Sequence, residues 1–271
     1  METRKILVPI DLSGITKTVI NTAINVAKKS GMALRLLHVK HIKSLPDVEQ
    51  QLEAINDKIV EENIYCSYIL TSGSVFTEIA REASNPEYAF AIIGTHGFKG
   101  FREVMFGADI LRLLKIMPVP VLTVQKDYVF PQSGIDKILF PVASHSAFHL
   151  IIKATTKFAK WFNAEVHLYS IEKPEMKWTG QLIDNIKLAE ATLEKESVKY
   201  IRVNEKLFSF SIGYSKQTLQ YAKTIDAGLI AIMSSPAKEH IYFADGDKEQ
   251  LITNKFLIPV ISTSNLVMPE Q

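Results

Sequence analysis

At 271 residues, 47% of them apolar and 22% charged, the chain is long enough for one large globular domain or two of ordinary size. A formal net charge of +2, with basic residues scattered, argues against a nucleic-acid footprint, and no apolar run approaches the ~20 residues of a membrane span. A single cysteine, Cys66, excludes an intrachain disulfide and a thiolate cluster, and "METRKILVPID" lacks an apolar leader, so a soluble cytoplasmic protein is expected.

The elements follow in strict alternation. "KILVPI" is an apolar run of buried-strand type, and "KTVINTAINVAKKSG" has helical spacing with Gly31 as its stop. "ALRLLHV" reads as a second strand. "DVEQQLEAINDKIVEEN" reads as a polar-faced helix with Asp47 as N-cap. "IYCSYIL" is a third strand, in which Cys66 is a small buried hydrophobe, and "VFTEIAREAS" is a short helix. "FAIIG", "ADILRLLKIM" and "VPVLTV" complete the set as strand, helix and strand. Alternating βα units imply a parallel sheet covered by helices, joined by right-handed crossovers.

The pattern then repeats. "RKILVPIDLS" aligns with "DKILFPVASH", so that Lys5, Ile6, Leu7 and Pro9 meet Lys137, Ile138, Leu139 and Pro141. Further along, Ala27 meets Ala159, Val39 meets Ile171, and "PVLTV" lines up with "PVISTS". Copies of ~130 residues are duplicated domains and not solenoid repeats. The seam is "QKDYVFPQSGID", which sets expected domains at 1–128 and 134–271.

The stretch "GTHGFKGFREVMFG" between the fourth strand and the next helix raises the question of a ligand. In an open parallel sheet, ligands sit beyond the C-terminal strand ends where the winding reverses. With strand order 3-2-1-4-5, that point lies between "VPID" and "GTHG". Gly94, Gly97 and Gly100 allow close backbone approach, and Gly107 opens a helix whose free N–H groups favour an anion. Asp11 could accept from ribose hydroxyls or hold a phosphate-bound metal. Glycines in such a turn can equally serve packing alone.

These residues resemble the signature of the universal stress protein family, G-x2-G-x9-G followed by Ser or Thr. Gly94, Gly97 and Gly107 fall on its glycines, and "ILVPIDLS", "LLHV" and "PVPVLTV" are similar to its strands. The resemblance is strong over the first copy and weak over the second. It implies two tandem adenine-nucleotide-hydrolase-like (Rossmann-like) α/β domains. Each would be a five-stranded parallel sheet of order 3-2-1-4-5 with helices on both faces, and the two would pair through their last strands. It further implies that Pro9 and Asp11, backbone at Val39, and the loop and helix start at Gly94, Gly97, Gly107 and Ala108 bind the nucleotide. Ile10, Ile93 and Thr95 complete the candidate set. The expected ligand is ATP, with or without Mg²⁺, held for regulation, with weak hydrolysis at most and no catalytic residues.

Two residues depart from the pattern. Ala108 lacks the family's hydroxyl, a loss of about 0.5–1.5 kcal/mol for a neutral hydrogen bond. Asp109 would repel each phosphate charge by roughly 3 kcal/mol at ~5 Å and an effective dielectric of ~20, unless Lys99 and Arg102 offset it. The second copy has lost more: Ala143 stands opposite Asp11, Met233 and Pro236 opposite Gly94 and Gly97, and Asp247 follows the surviving Gly246. It reads as a structural or partner-binding half. The alternative for the whole chain is a protein-interaction module that binds no nucleotide. An intrachain pseudo-dimer leaves room for a further homodimer.

Other constellations are weaker. His145 and His149 would share a helix face, but without adjacent ligands they suit capping and surface roles better than a metal. His38 and His96 belong to strand and loop rather than to catalysis. Trp161 and Trp178 are core or interface residues. No P-loop, dinucleotide fingerprint or nucleophile motif occurs.

Overall fold

The structure, a computed structural model, describes residues 4–40, 47–95, 107–172, 178–206, 213–236 and 244–267. The first half runs β1 (Lys5–Pro9), α1 (Thr16–Ser30), β2 (Ala33–Lys40), α2 (Val48–Glu61), β3 (Cys66–Ser72), α3 (Val75–Ala83), β4 (Tyr88–Thr95), α4 (Gly107–Ile116) and β5 (Val121–Gln125). The second half repeats it with β6 (Lys137–Pro141), α5 (Phe148–Phe162), β7 (Glu165–Glu172), α6 (Gly180–Lys195) and β8 (Tyr200–Lys206). It closes with α7 (Tyr214–Thr224), β9 (Leu229–Met233), α8 (Asp245–Ile252) and β10 (Val260–Thr263).

All ten strands form one sheet, ordered β3-β2-β1-β4-β5-β10-β9-β6-β7-β8. Each half therefore has the order 3-2-1-4-5, and the halves meet where β5 pairs antiparallel with β10, Leu122 opposite Ile261. Within each half, neighbouring strands are parallel. Central strands buried on both faces need apolar side chains throughout, which is why Ile6, Leu7 and Val8 in β1 and Leu229, Ile230 and Ala231 in β9 are all buried.

The helices carry matching stripes. In α1, Val19, Ala23, Val26 and Ala27 recur at helical spacing and are buried. Gly31 then takes φ 71° and returns its N–H to the Ala27 carbonyl at 2.8 Å. Its counterpart in the second half is Asn163, also left-handed at φ 53°, so the same stop survives with a different residue. Asp47 does sit at the N-cap of α2, but its carboxyl makes no capping bond; its φ and ψ of −109° and 31° are not the extended geometry that aims a side chain at the next N–H groups.

The seam between halves is densely bonded. Across it Thr123 Oγ1 donates to Val260 O at 3.0 Å, Ser264 Oγ to Met117 O at 2.7 Å and Ser234 Oγ to Leu114 O at 3.0 Å. Gln125 Nε2 donates to Asn254 O at 2.8 Å, and Asn254 spends its own amide on Leu251 O, Ile258 O and the N–H groups of Phe256 and Ile258. Phe90 of β4 packs on Phe158 and Trp161 of α5, with ring centroids 5.3 and 5.6 Å apart. Trp161 is thus a contact residue between the halves, while Trp178 lies under Arg202 at 5.8 Å.

Candidate functional site

The strand order brings the ends of β1 and β4 together. Pairing runs Ile6 with Phe90 and Leu7 with Ala91, and continuing that register sets Pro9 opposite Ile93 and Asp11 near Thr95. On the other side Pro9 pairs with Leu37, so Val39, half-buried, flanks the same strand end. Ile10 donates its N–H to Leu37 O at 2.9 Å, and its carbonyl meets buried His38 Nδ1 at 2.9 Å. His38 is therefore a strut between β1 and β2.

Asp11 is exposed at this switch point. Its Oδ1 accepts from the Ser13 N–H at 2.9 Å and, at 3.4 Å, from Thr16 Oγ1. Leu12 between them takes φ 61°, a left-handed geometry that costs a side-chain-bearing residue about 1–2 kcal/mol. The carboxylate thus fastens the turn from β1 into α1, a duty the sequence did not disclose.

Gly94 also has a structural duty. A Cβ there would lie 2.7 Å from Val19 Cγ2 and 2.8 Å from Ile15 Cδ1. Helix α1 rests directly on the β4 backbone at this point. Ile93 and Thr95, on the alternate face, are buried, and Thr95 Oγ1 donates to Val124 O at 3.4 Å. Backbone groups are what these two residues could offer a ligand.

Gly97, with His96, Lys99, Gly100 and Arg102, lies outside the described residues. Gly107 and Ala108 form the start of α4, as the glycine pattern implied. Asp109 stands 3.6 Å from Arg112 Nη1 one turn on, an i,i+3 pair that partly neutralises the acidic helix start. That partner is readable in the sequence once α4 is assigned, and it lowers the repulsion a phosphate would meet.

The second half closes its equivalent crevice from within. Residues 142–145 after β6 are all buried, where Asp11 in the first half is exposed. Asn185 of α6 donates to Ala143 O at 2.7 Å and to His145 O at 3.0 Å. Lys248, 1% exposed, reaches back from α8 to Ser235 O at 2.7 Å and Ser234 O at 3.3 Å at the end of β9. Burial brings its ammonium down to about 8, against the favourable pull of Asp245.

His145 corrects an expectation. It precedes α5 instead of sharing a helix face with His149, and it is buried at 4% exposure while His149 is exposed. Desolvation and the neighbouring Lys248 charge push its imidazole down to about 3, so it is neutral and serves neither surface nor capping. The helix begins at Phe148 because residues 142–145 fold into the closed strand end. Cys66 is buried, with its thiol pushed up to about 12 by desolvation, which makes it inert. Among the described residues no three His, Cys, Asp or Glu side chains converge on a metal position. Among them, too, no helix is long and apolar enough to cross a membrane.

Comparison with known proteins agrees with this fold. Residues 2–125 match the family model described as the universal stress protein family. Universal stress protein YxiE of Bacillus subtilis (strain 168) is 24% identical over 145 residues, which cover 45% of this chain and 98% of that protein. A universal stress protein from Archaeoglobus fulgidus superposes with a TM-score of 0.70 at 18% identity, over 97% of this chain and 99% of the other. A putative universal stress protein from Pseudomonas aeruginosa gives 0.68 at 15% identity, over 97% and 94%. Residues 2–125 thus match the universal stress protein family, and the second half repeats the strand order of the first.

Proposed function

We propose that the chain is a cytoplasmic stress-response protein whose first domain, 1–128, binds an adenine nucleotide as a regulatory ligand, without efficient turnover. The second domain, 134–271, supports it and binds none. The favoured ligand is ATP, with or without Mg²⁺, on Pro9, Ile10, Asp11, Val39, Ile93, Gly94, Thr95, Gly97, Gly107 and Ala108. The observation that carries the reading is the contrast between the two switch points: Asp11 is exposed where β1 and β4 part, whereas the equivalent place is filled by Asn185, His145 and Lys248. Ligands in open parallel sheets collect at such points. The exposure of Asp11, against burial of the equivalent residues in the second half, supports a ligand site in the first half alone.

A second reading has its own support. Gly94 is explained by Ile15 and Val19, and Asp11 by its bonds to Ser13 and Thr16, so both diagnostic residues have duties that need no ligand. That favours an interaction module acting through protein partners. Calorimetric titration with ATP and Mg²⁺ separates the two. Saturable binding, lost in a folded Asp11→Ala variant, supports nucleotide regulation; no heat at millimolar ATP supports the interaction module.

A further inference from the structure

Lys126 follows β5 directly, and its N–H donates to Thr95 O at 3.2 Å, which extends the β4–β5 ladder by one step. Its side chain turns back across the sheet. Cε lies 4.0 Å from the position a Cβ would take on Gly14, in the turn between β1 and α1. Strands β1 and β5 flank β4, and neighbouring strands stand about 4.8 Å apart, so a side chain reaching from one to the other passes over the end of β4. That end is the switch point beside Asp11.

The ammonium is uncommitted: Lys126 is exposed, and among the described residues its side chain makes no ion pair or hydrogen bond. Asp127, the next residue, takes φ 70° in the turn and forms no ion pair with it, and Asp11 spends its Oδ1 on Ser13 and Thr16. The second half lacks this charge. Aligning "PVLTV" with "PVISTS" sets Asn265 opposite Lys126, and Asn265 donates its N–H to Ser235 Oγ at 2.9 Å. Ala143 stands there in place of Asp11. The cation that enters the second crevice, Lys248, is buried and spent on the Ser234 and Ser235 carbonyls. The accessible crevice thus has an unspent cation at its mouth, and the closed one does not.

We propose that Lys126 is a ligand residue of the first-half crevice, where its ammonium meets a phosphate group and makes the site selective for a nucleoside phosphate over the uncharged nucleoside. The inference rests on the nucleotide reading and names the group that recognises the ligand's charge. Ala108 removes a hydroxyl from the start of α4 and Asp109 adds a negative charge there; Lys126 supplies a compensating positive charge from the end of β5. A lysine ammonium is a point charge on a flexible stem, so it can follow a phosphate without a fixed fork geometry. One charge-assisted contact of this kind changes affinity about tenfold.

The test uses the full chain, titrated by calorimetry with ATP and Mg²⁺ and, in parallel, with adenosine. The parent should bind ATP saturably and about tenfold or more tightly than adenosine. Lys126→Met should weaken ATP about tenfold and leave adenosine unchanged, whereas Lys126→Arg, which keeps the charge, should stay within about threefold of the parent. Added salt should cost the parent more ATP affinity than it costs the methionine variant. Because Lys126 is exposed, both variants should keep the parental thermal midpoint. Parental ATP affinity in Lys126→Met overturns the inference and leaves the nucleotide reading standing. So does an arginine variant as weak as the methionine one, or an equal loss of ATP and adenosine. A parent that binds no ATP overturns both.

Discussion

Replacing Gly94 by Ala distinguishes a packing glycine from a ligand glycine. The new Cβ would stand 2.7 Å from Val19 Cγ2 and 2.8 and 3.1 Å from Ile15 Cδ1 and Cγ1. Carbon atoms in contact prefer about 3.5–4.0 Å, so α1 or these side chains must give way by roughly 1 Å. Ile15 can turn its terminal methyl, but Val19 is β-branched, held to one rotamer in a helix, and only 2% exposed. Overpacking of this kind costs about 1–3 kcal/mol. Urea unfolding followed by circular dichroism should show that loss for Gly94→Ala. Combining it with Val19→Ala opens space for the Cβ and for a rotated Ile15, so the double variant should be no less stable than Val19→Ala alone. That cycle should give a favourable coupling of about 1 kcal/mol or more. An alanine variant with the parental midpoint and no ATP binding would refute the packing account and make Gly94 a ligand residue.

Other outcomes follow from the closed second half. Because burial holds Lys248 at about 8, below its usual 10.5, the unfolded chain keeps a proton that the native chain has lost between those values. Stability therefore rises with pH from 8 to 10.5, and the parent should gain up to about 3 kcal/mol on a Lys248→Met variant across that window in denaturation measured at each pH. His145 acts at the other end: native neutrality down to about 3, against an unfolded value of 6.5, removes up to about 5 kcal/mol of stability as pH falls through that window. A His145→Gln variant should lose less over the same range, measured in the same way. Asn254→Asp should destabilise by about 3 kcal/mol or more in urea titration at neutral pH, because a carboxylate would face the Leu251 and Ile258 carbonyls that the amide now bonds.

Much of this molecule is determined locally. Apolar runs such as "KILVP" and "LIAIM" can satisfy their side chains only as strands covered on both faces, and the α1 stripe can be buried only as a helix. Duplication was legible because equivalent positions keep equivalent physical demands, as Gly31 and Asn163 do at the left-handed ends of α1 and α5. The glycine spacing placed a helix start at Gly107, which does open α4. What Gly94 and Asp11 do at the strand ends was not legible: their partners Ile15, Val19, Ser13 and Thr16 are set by how α1 docks on β4. The plugging of the second crevice depends on contacts across many residues, Lys248 to Ser235 and Asn185 to Ala143. His145 was misread because its surroundings come from β9 and α8, far from it in the chain. Periodicity and composition carry local geometry and average burial; which polar group meets which, and whether a cleft stays open, is decided only when distant elements pack.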